Sequence, residues 1–285
     1  MSKSMRILLP TDFSETAQNA YVFALSLTQA LDGDLELLHV VYPEYANMDL
    51  PVVSTKDTRV KVELARAAIE AFVDLGRARI QLEDEKAHLP EVRTEVEVGM
   101  PPATIMRVAG RDNIGLIVMG TRGEHSLLEK TFGSVTSGVL AKTNLPVLII
   151  PEEARFNNFR SIAVATELRP EEFEPFIAIL ELLTPLDAEF RLVHVHDPKR
   201  GVAREEESLQ RLQKLFSNYG KESPAVLKIG PENVIEALED FTETYQTDMM
   251  VMLSYHRTLW ERLFYRSKTR QMLFQSKVPL FIYPA

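Results

Sequence analysis

Ile114-Gly-Leu-Ile-Val-Met119, followed by Gly120-Thr-Arg-Gly-Glu-His-Ser-Leu-Leu-Glu-Lys-Thr-Phe-Gly-Ser-Val-Thr136, is the stretch on which the reading of this chain turns. Its first six residues form an apolar run with the character of a buried strand. Glycines follow at Gly120, Gly123 and Gly133, and Ser134 comes directly after the last. A strand that ends in glycines and leads into a helix start is how α/β proteins hold phosphate. Glycine lets backbone approach an oxygen closely, and the free N–H groups at a helix N-terminus favour an anion. The segment therefore proposes a nucleotide site, and the rest of the chain is read against it.

Outward from this stretch, the chain repeats itself. Ile7-Leu-Leu-Pro-Thr11-Asp12 aligns with Ile162-Ala-Val-Ala-Thr166-Glu167, and Leu37-Leu-His39-Val40 aligns with Leu192-Val-His194-Val195 at the same offset. Near the ends of the halves, Asn144-Leu-Pro146-Val-Leu-Ile-Ile-Pro151 aligns with Lys277-Val-Pro279-Leu-Phe-Ile-Tyr-Pro284. The period is far too long for a solenoid, so the reading is a duplicated domain, residues 1–153 and 154–285, joined through the short polar connector 152–158.

Each half alternates strand and helix signals. The first predicts strands at Arg6–Pro10, Asp34–Val41, Glu91–Val98, Leu116–Met119 and Val147–Ile150. Between them Ser14 is an N-cap candidate for a helix reaching Leu31, before the Asp32-Gly33 stop. A long charged helix is expected from Asp57 to about Leu82, with Val60, Leu64, Ala68, Phe72 and Leu75 near its packed face. Pro101 and Pro102 suit a first helical turn. The second half predicts strands near Ile162–Thr166, Ala188–His194, Ala225–Ile229, Asp248–Leu253 and Leu280–Tyr283, with a shorter second helix from Arg204 to Tyr219. This alternation predicts an α/β fold: two tandem open parallel sheets with helices on both faces. Ligands on such sheets bind beyond the carboxyl ends of the strands, where Asp12, Val40 and Gly120 all fall.

Composition narrows the class. With 285 residues, 45% of them hydrophobic, the chain can build two cores. A net charge of -9 disfavours nucleic-acid or anionic-membrane surfaces. There is no cysteine, so disulfide and thiol chemistry are excluded. The apolar run before Pro10 is too short for a signal peptide, and no long apolar span follows. The expectation is a soluble cytoplasmic protein.

These residues resemble the universal stress protein family, two such domains in one chain, and the likeness covers nearly its whole length. Leu9-Pro-Thr11-Asp12-Phe-Ser14-Glu-Thr-Ala17 is similar to the family's first strand and helix start, and the spacing of Gly120, Gly123, Gly133 and Ser134 fits its ATP-binding members. The resemblance implies a Rossmann-like, adenine nucleotide alpha hydrolase-like fold and an ATP ligand, with Mg²⁺. It further implies that Asp12 and the Val40 backbone contact adenine and ribose, and that Gly120 and Gly123 line the ribose and phosphate path. Gly133, Ser134, Val135 and Thr136 would hold phosphate through backbone amides and two hydroxyls, with Arg122 adding charge. Terminal strands pair between domains in the family, so an internal pseudo-dimer is implied; a further homodimer of chains is left open.

The second half departs at the positions that matter. Aligning Pro151 with Pro284 puts Leu253 at Gly120, His256 at Gly123 and Arg266 at Gly133, while Glu167 replaces Asp12. This half is expected not to bind ATP in the manner of the first. Other signals carry less. A Walker A reading of residues 123–131 fails, because its required glycine positions hold Glu124 and Glu129. His194-Val-His196-Asp197 invites zinc, but no third ligand is evident, and His194 takes the same strand-end slot as His39. The basic run Arg257–Arg270 reads as a solvated face, and the stretch around Trp260 as packing.

The leading function is therefore an ATP-binding regulatory protein of the stress response. A slow Mg²⁺-dependent ATPase is the competing reading, for which Glu124, His125 and Arg122 are the candidate groups. A nucleotide-independent interaction scaffold is the third.

Overall fold

A computed structural model describes residues 5–43, 45–46, 52–53, 55–111, 113–121, 133–195, 202–219, 226–229, 234–254 and 278–284. The chain divides into two compact units, Met1–Arg155 and Phe156–Ala285.

The first unit runs β1 (Arg6–Thr11), α1 (Glu15–Ala30), β2 (Asp34–Val41), β3 (Tyr45–Ala46), β4 (Val52–Val53), α2 (Thr55–Glu83), β5 (Val92–Val98), α3 (Pro101–Ala109), β6 (Ile114–Gly120), α4 (Ser134–Leu140) and β7 (Val147–Ile150). Its main sheet has the order β7-β6-β1-β2-β5 with every neighbouring pair parallel. The β3–β4 antiparallel pair is an addition that the sequence pattern did not announce. Strands buried on both faces explain the unbroken apolar runs of β1, β6 and β7. Helix α1 begins where expected, because Ser14 Oγ accepts from the Ala17 N–H at 3.2 Å.

The second unit runs β8 (Ser161–Thr166), a 3-10 turn (Pro170–Glu172), α5 (Phe173–Leu183), a second 3-10 turn (Thr184–Leu186), β9 (Glu189–Val195), α6 (Val202–Asn218), β10 (Val226–Ile229), α7 (Val234–Thr244), β11 (Met249–Ser254) and β12 (Leu280–Pro284). The strand order is β10-β9-β8-β11-β12, again parallel throughout. It is the same winding as the first unit.

The duplication extends to backbone detail. Phe13 and Leu168 (φ 65° and 56°), and Asp32 and Asp187 (φ 50° and 49°), are left-handed non-glycine residues at one common offset. Asn113 and Gln246 (φ 77° and 46°) share the offset of the closing strands. Such conformations are unfavourable for side-chain-bearing residues. Their recurrence therefore marks turns kept by the fold itself.

One expectation about α2 fails. Phe72 is buried and Ala68 half-buried, but Val60, Leu64 and Leu75 are exposed; the packed stripe is Thr58, Ala65, Ile69, Phe72 and Gly76. Small residues were passed over in the sequence because they carry little hydropathy, yet they let α2 approach α1. At Gly76 an added Cβ would lie 2.4 Å from ring carbons of Tyr21, which is fully buried. Alanine would gain about 1 kcal/mol of helix propensity, whereas overpacking costs about 1–3 kcal/mol. At this separation the clash wins. Gly76→Ala is expected to destabilise the first unit by about 1–2 kcal/mol, read from urea unfolding.

Candidate functional site

The carboxyl ends of β1, β2 and β6 meet on one rim of the first unit, and the ladder between β1 and β2 shows how the rim opens. Asp34 N–H donates to Met5 O at 3.0 Å, which sets the phase so that even-numbered residues of β2 face β1. Consistently, odd-numbered Val41 turns its carbonyl the other way, accepting from Gly99 N–H at 3.0 Å. Continued to Val40, the phase calls for Phe13 N–H as the donor to the Val40 carbonyl. Phe13 instead adopts φ 65° and donates to Thr11 Oγ1 at 3.0 Å. The β1–β2 register accordingly stops at Thr11 opposite His39, and the Val40 carbonyl faces the rim beyond the end of β1. A backbone acceptor turned to such a rim is completed by solvent or a ligand.

Beside Val40 lies a cavity of about 360 Å³ lined by Phe13, His39, Val40, Val41 and Tyr42, and from α2 by Lys61, Leu64, Ala65 and Ala68. Its wall is mostly apolar. His39 belongs to that wall: its Nδ1–H donates to Thr11 O at 2.8 Å, and its ring stacks on Phe13 at 4.3 Å with a 20° interplanar angle. Burial pushes the His39 pKa below 6.5, against the opposing pull of the Thr11 carbonyl and the Asp12 charge. The imidazole is therefore neutral near pH 7 and serves as a flat aromatic surface. Asp12, half-buried in the turn, accepts from Ser14 N–H at 3.1 Å through one carboxylate oxygen.

Gly120 ends β6 opposite Ile150. A Cβ there would come within 3.1 Å of Thr16 Cγ2 and 3.4 Å of Thr16 O, so glycine permits the close seating of β6 against the first turn of α1. Gly133 precedes α4 with φ -52° and ψ 151°. That conformation suits any residue, so the expected backbone strain on replacing Gly133 does not arise, and only close approach argues for glycine there. The first intrahelical bond of α4 runs from Ser137 N–H to Gly133 O at 3.0 Å, which leaves the N–H groups of Ser134, Val135 and Thr136 ahead of the helical ladder. Ser134 is exposed, whereas Thr136 is buried and donates its hydroxyl to Gly120 O at 3.3 Å. The Thr136 side chain thus ties α4 to the end of β6 rather than reaching outward for phosphate; the expectation of two phosphate hydroxyls is corrected to one.

Asp12, Val40, Gly120, Gly133, Ser134, Val135 and Thr136 are therefore placed by elements that end on the same rim or return to it. Arg122 and Gly123 lie outside the described residues, as do Glu124, His125, Glu129, His196, Asp197, His256, Trp260 and Arg266. Sequence reasoning missed Phe13, Tyr42, Ala65 and Ala68 as cavity walls. The available signal was the i, i+3 pair of small residues on α2.

The same rim in the second unit is built differently. Leu253 pairs with Tyr283 as Gly120 pairs with Ile150, so a leucine stands at the strand end. The carboxylate of Glu167, Asp12's counterpart, accepts from Arg169 Nε at 2.6 Å. His194 repeats the His39 contact, Nδ1 to Thr166 O at 3.2 Å, but its Nε2 faces Glu205 of α6 at 3.5 Å and both side chains are buried. Among the described residues, no group of three His, Asp or Glu is disposed to hold a metal, and no helix is long and apolar enough to cross a membrane.

Comparison with known proteins agrees with this architecture. A model of the universal stress protein family matches residues 3–151. The chain is 30% identical over 158 residues to a universal stress protein of Methanocaldococcus jannaschii, spanning 51% of this chain and 93% of that protein. It is 21% identical over 291 residues to one from Synechocystis, across 97% of this chain and 99% of the other. The crystal structure of a universal stress protein from Archaeoglobus fulgidus shares the fold along the chain, with a TM-score of 0.69 at 18% identity and 98% coverage of both. The family match spans more than half of the residues and its fold recurs in both units: the chain belongs to the universal stress protein family.

Proposed function

We propose that this protein binds one adenine nucleotide, ATP with Mg²⁺, in its first unit and acts through that occupancy as a regulator in the stress response. The observation that carries the reading is the Val40 carbonyl turned to the rim beside an apolar, aromatic-walled cavity. A purine fits this chemistry: its faces suit the stacked Phe13–His39 wall, and its exocyclic amine supplies the donor that Val40 lacks from Phe13. Asp12 stands where a ribose hydroxyl would be bound. Gly120 and the amides of Ser134, Val135 and Thr136 provide the path and the anchor for phosphates, with Gly123 and Arg122 on the intervening loop.

The second unit does not bind in this manner. Leu253 occupies the glycine's place, Glu167 is tied to Arg169, and the Glu205 carboxylate lies against His194. Titration calorimetry of the full chain with ATP and Mg²⁺ is expected to give one site per chain. Two equivalent sites would overturn the asymmetry. Absence of any uptake would remove the nucleotide and leave the interaction-scaffold reading.

A further inference from the structure

Helix α2 carries a second apolar stripe that its own unit does not use. Val60, Leu64, Ala67, Ala71, Leu75, Ala78 and Leu82 are all exposed, at 50% for Val60, 66% for Leu64, 50% for Leu75 and 87% for Leu82. The set repeats after 11 residues, from Val60 to Ala71 to Leu82 and from Leu64 to Leu75. Such a repeat keeps one face of a long helix in line, drifting only slightly from the natural helical period. Thr58, Ala65, Ile69, Phe72 and Gly76 already fill the face turned to the sheet. A solvated helix face alternates charges; one holding only Val, Leu and Ala over six turns is built to be covered.

The charges beside the stripe identify what covers it. At 100° per residue, exposed Glu63, Glu70 and Asp74 fall along one edge, and exposed Lys61 and Arg79 along the other. In an antiparallel two-fold pair like edges meet, which would oppose Lys61 to Arg79 and bring the acidic residues together. In a parallel pair the acidic edge of one helix meets the basic edge of its mate, and Asp74 comes opposite Arg79 in the spacing used by parallel coiled coils. The alternation of leucine with alanine suits close approach of two identical helices.

We propose that α2 is a self-association surface through which two copies of this chain pair, their α2 helices parallel and Leu75 and Ala78 at the seam. The stripe is about 33 Å long and about 10 Å wide, small beside the roughly 800 Å² per partner of a standard stable interface. The pairing is therefore reversible and concentration-dependent.

Sedimentation velocity on the full chain across a concentration series tests this. A monomer–dimer equilibrium is expected, and Leu75→Glu should raise its dissociation constant at least about 30-fold, because it buries a charge at the seam. Leu75 lies outside the nucleotide cavity, so the circular dichroism spectrum and ATP uptake of this variant serve as controls for folding. The protein has no cysteine, so a single introduced thiol reports only on itself. Ala78→Cys should form a disulfide between copies, as should Ala71→Cys. Cross-linking of Ala71→Cys without Ala78→Cys would mean antiparallel helices and overturn the proposal. So would a chain that stays monomeric to its solubility limit, or a dimer indifferent to Leu75→Glu; the last two point respectively to another protein as the occupant and to another surface.

Discussion

Replacing Gly120 by leucine, the residue that the second unit carries at the same strand end, is expected to weaken ATP binding at least about 100-fold, or roughly 3 kcal/mol. The equivalence is one of register, since Gly120 pairs with Ile150 and Leu253 with Tyr283 at the ends of corresponding strands. On one side the new Cβ would meet Thr16, with Cγ2 at 3.1 Å and the backbone oxygen at 3.4 Å. The branched remainder must then turn towards the rim, across the path from the cavity to the start of α4. Crowding against Thr16 is also expected to cost about 1 kcal/mol of stability, which a thermal melt separates from the binding defect. The reverse change, Leu253→Gly, should not create a site. It leaves Glu205 against His194 and the Glu167–Arg169 pair in place. Titration calorimetry on both variants checks the pair of outcomes. Undiminished affinity in Gly120→Leu would take the phosphate path away from this strand end.

Much of this rim was legible from residues alone, and the illegible parts have physical causes. The strands could be read because parallel strands buried on both faces leave unbroken apolar runs, as in Val147–Ile150 and Ile114–Met119. Asp12, Val40 and Gly120 could be placed because strand ends converge in any open parallel sheet. The cavity wall could not, because its makers are unremarkable singly: Phe13 reads as core, and Ala65 and Ala68 read as helix formers. Only the left-handed turn at Phe13 unites them, and nothing in a Thr-Asp-Phe-Ser sequence demands φ 65°. The packed face of α2 was misread for a related reason. Hydropathy favours Leu64 and Leu75 over Ala65 and Gly76, but close packing against Tyr21 selects the small residues and turns the leucines outward. Thr136 shows the limit for polar groups: a hydroxyl beside a phosphate loop is also well placed to hold the helix to the strand, and here it bonds the Gly120 carbonyl.

The stability of the second unit is expected to fall as pH rises from about 4.5 to above 7, through one carboxylate. Glu172 is almost wholly buried at the start of α5, at the position that Ala17 holds in the first unit. There it takes over the capping duty that Ser14 performs in α1, for the counterpart of Ser14 is Arg169. Its Oε1 accepts from Glu167 N–H at 3.0 Å, and its Oε2 takes the Thr166 hydroxyl. Burial pushes the Glu172 pKa from 4.5 to about 7; the two hydrogen bonds oppose that rise without cancelling it, and the neighbouring Glu167 charge adds to it. Since the folded chain holds this proton more tightly than the unfolded one, the associated stability is fully present below pH 4.5 and is lost as pH climbs through 7. The shift corresponds to roughly 3 kcal/mol at most. Glu172→Gln keeps an acceptor for the cap and abolishes the titration. Denaturant unfolding of the two proteins between pH 5 and 8 should therefore show the variant gaining on the parent by about 2–3 kcal/mol as pH rises. His194 titrates in the same window but is present in both proteins, so it drops out of the difference unless coupled to Glu172. The route for such coupling is short, since the Thr166 backbone oxygen meets His194 Nδ1 while its hydroxyl meets Glu172. Repeating the comparison on His194→Gln separates the two. An unchanged difference curve assigns the whole effect to Glu172, and a flat difference curve in the parent background would mean that the buried carboxylate titrates as it does in the unfolded chain.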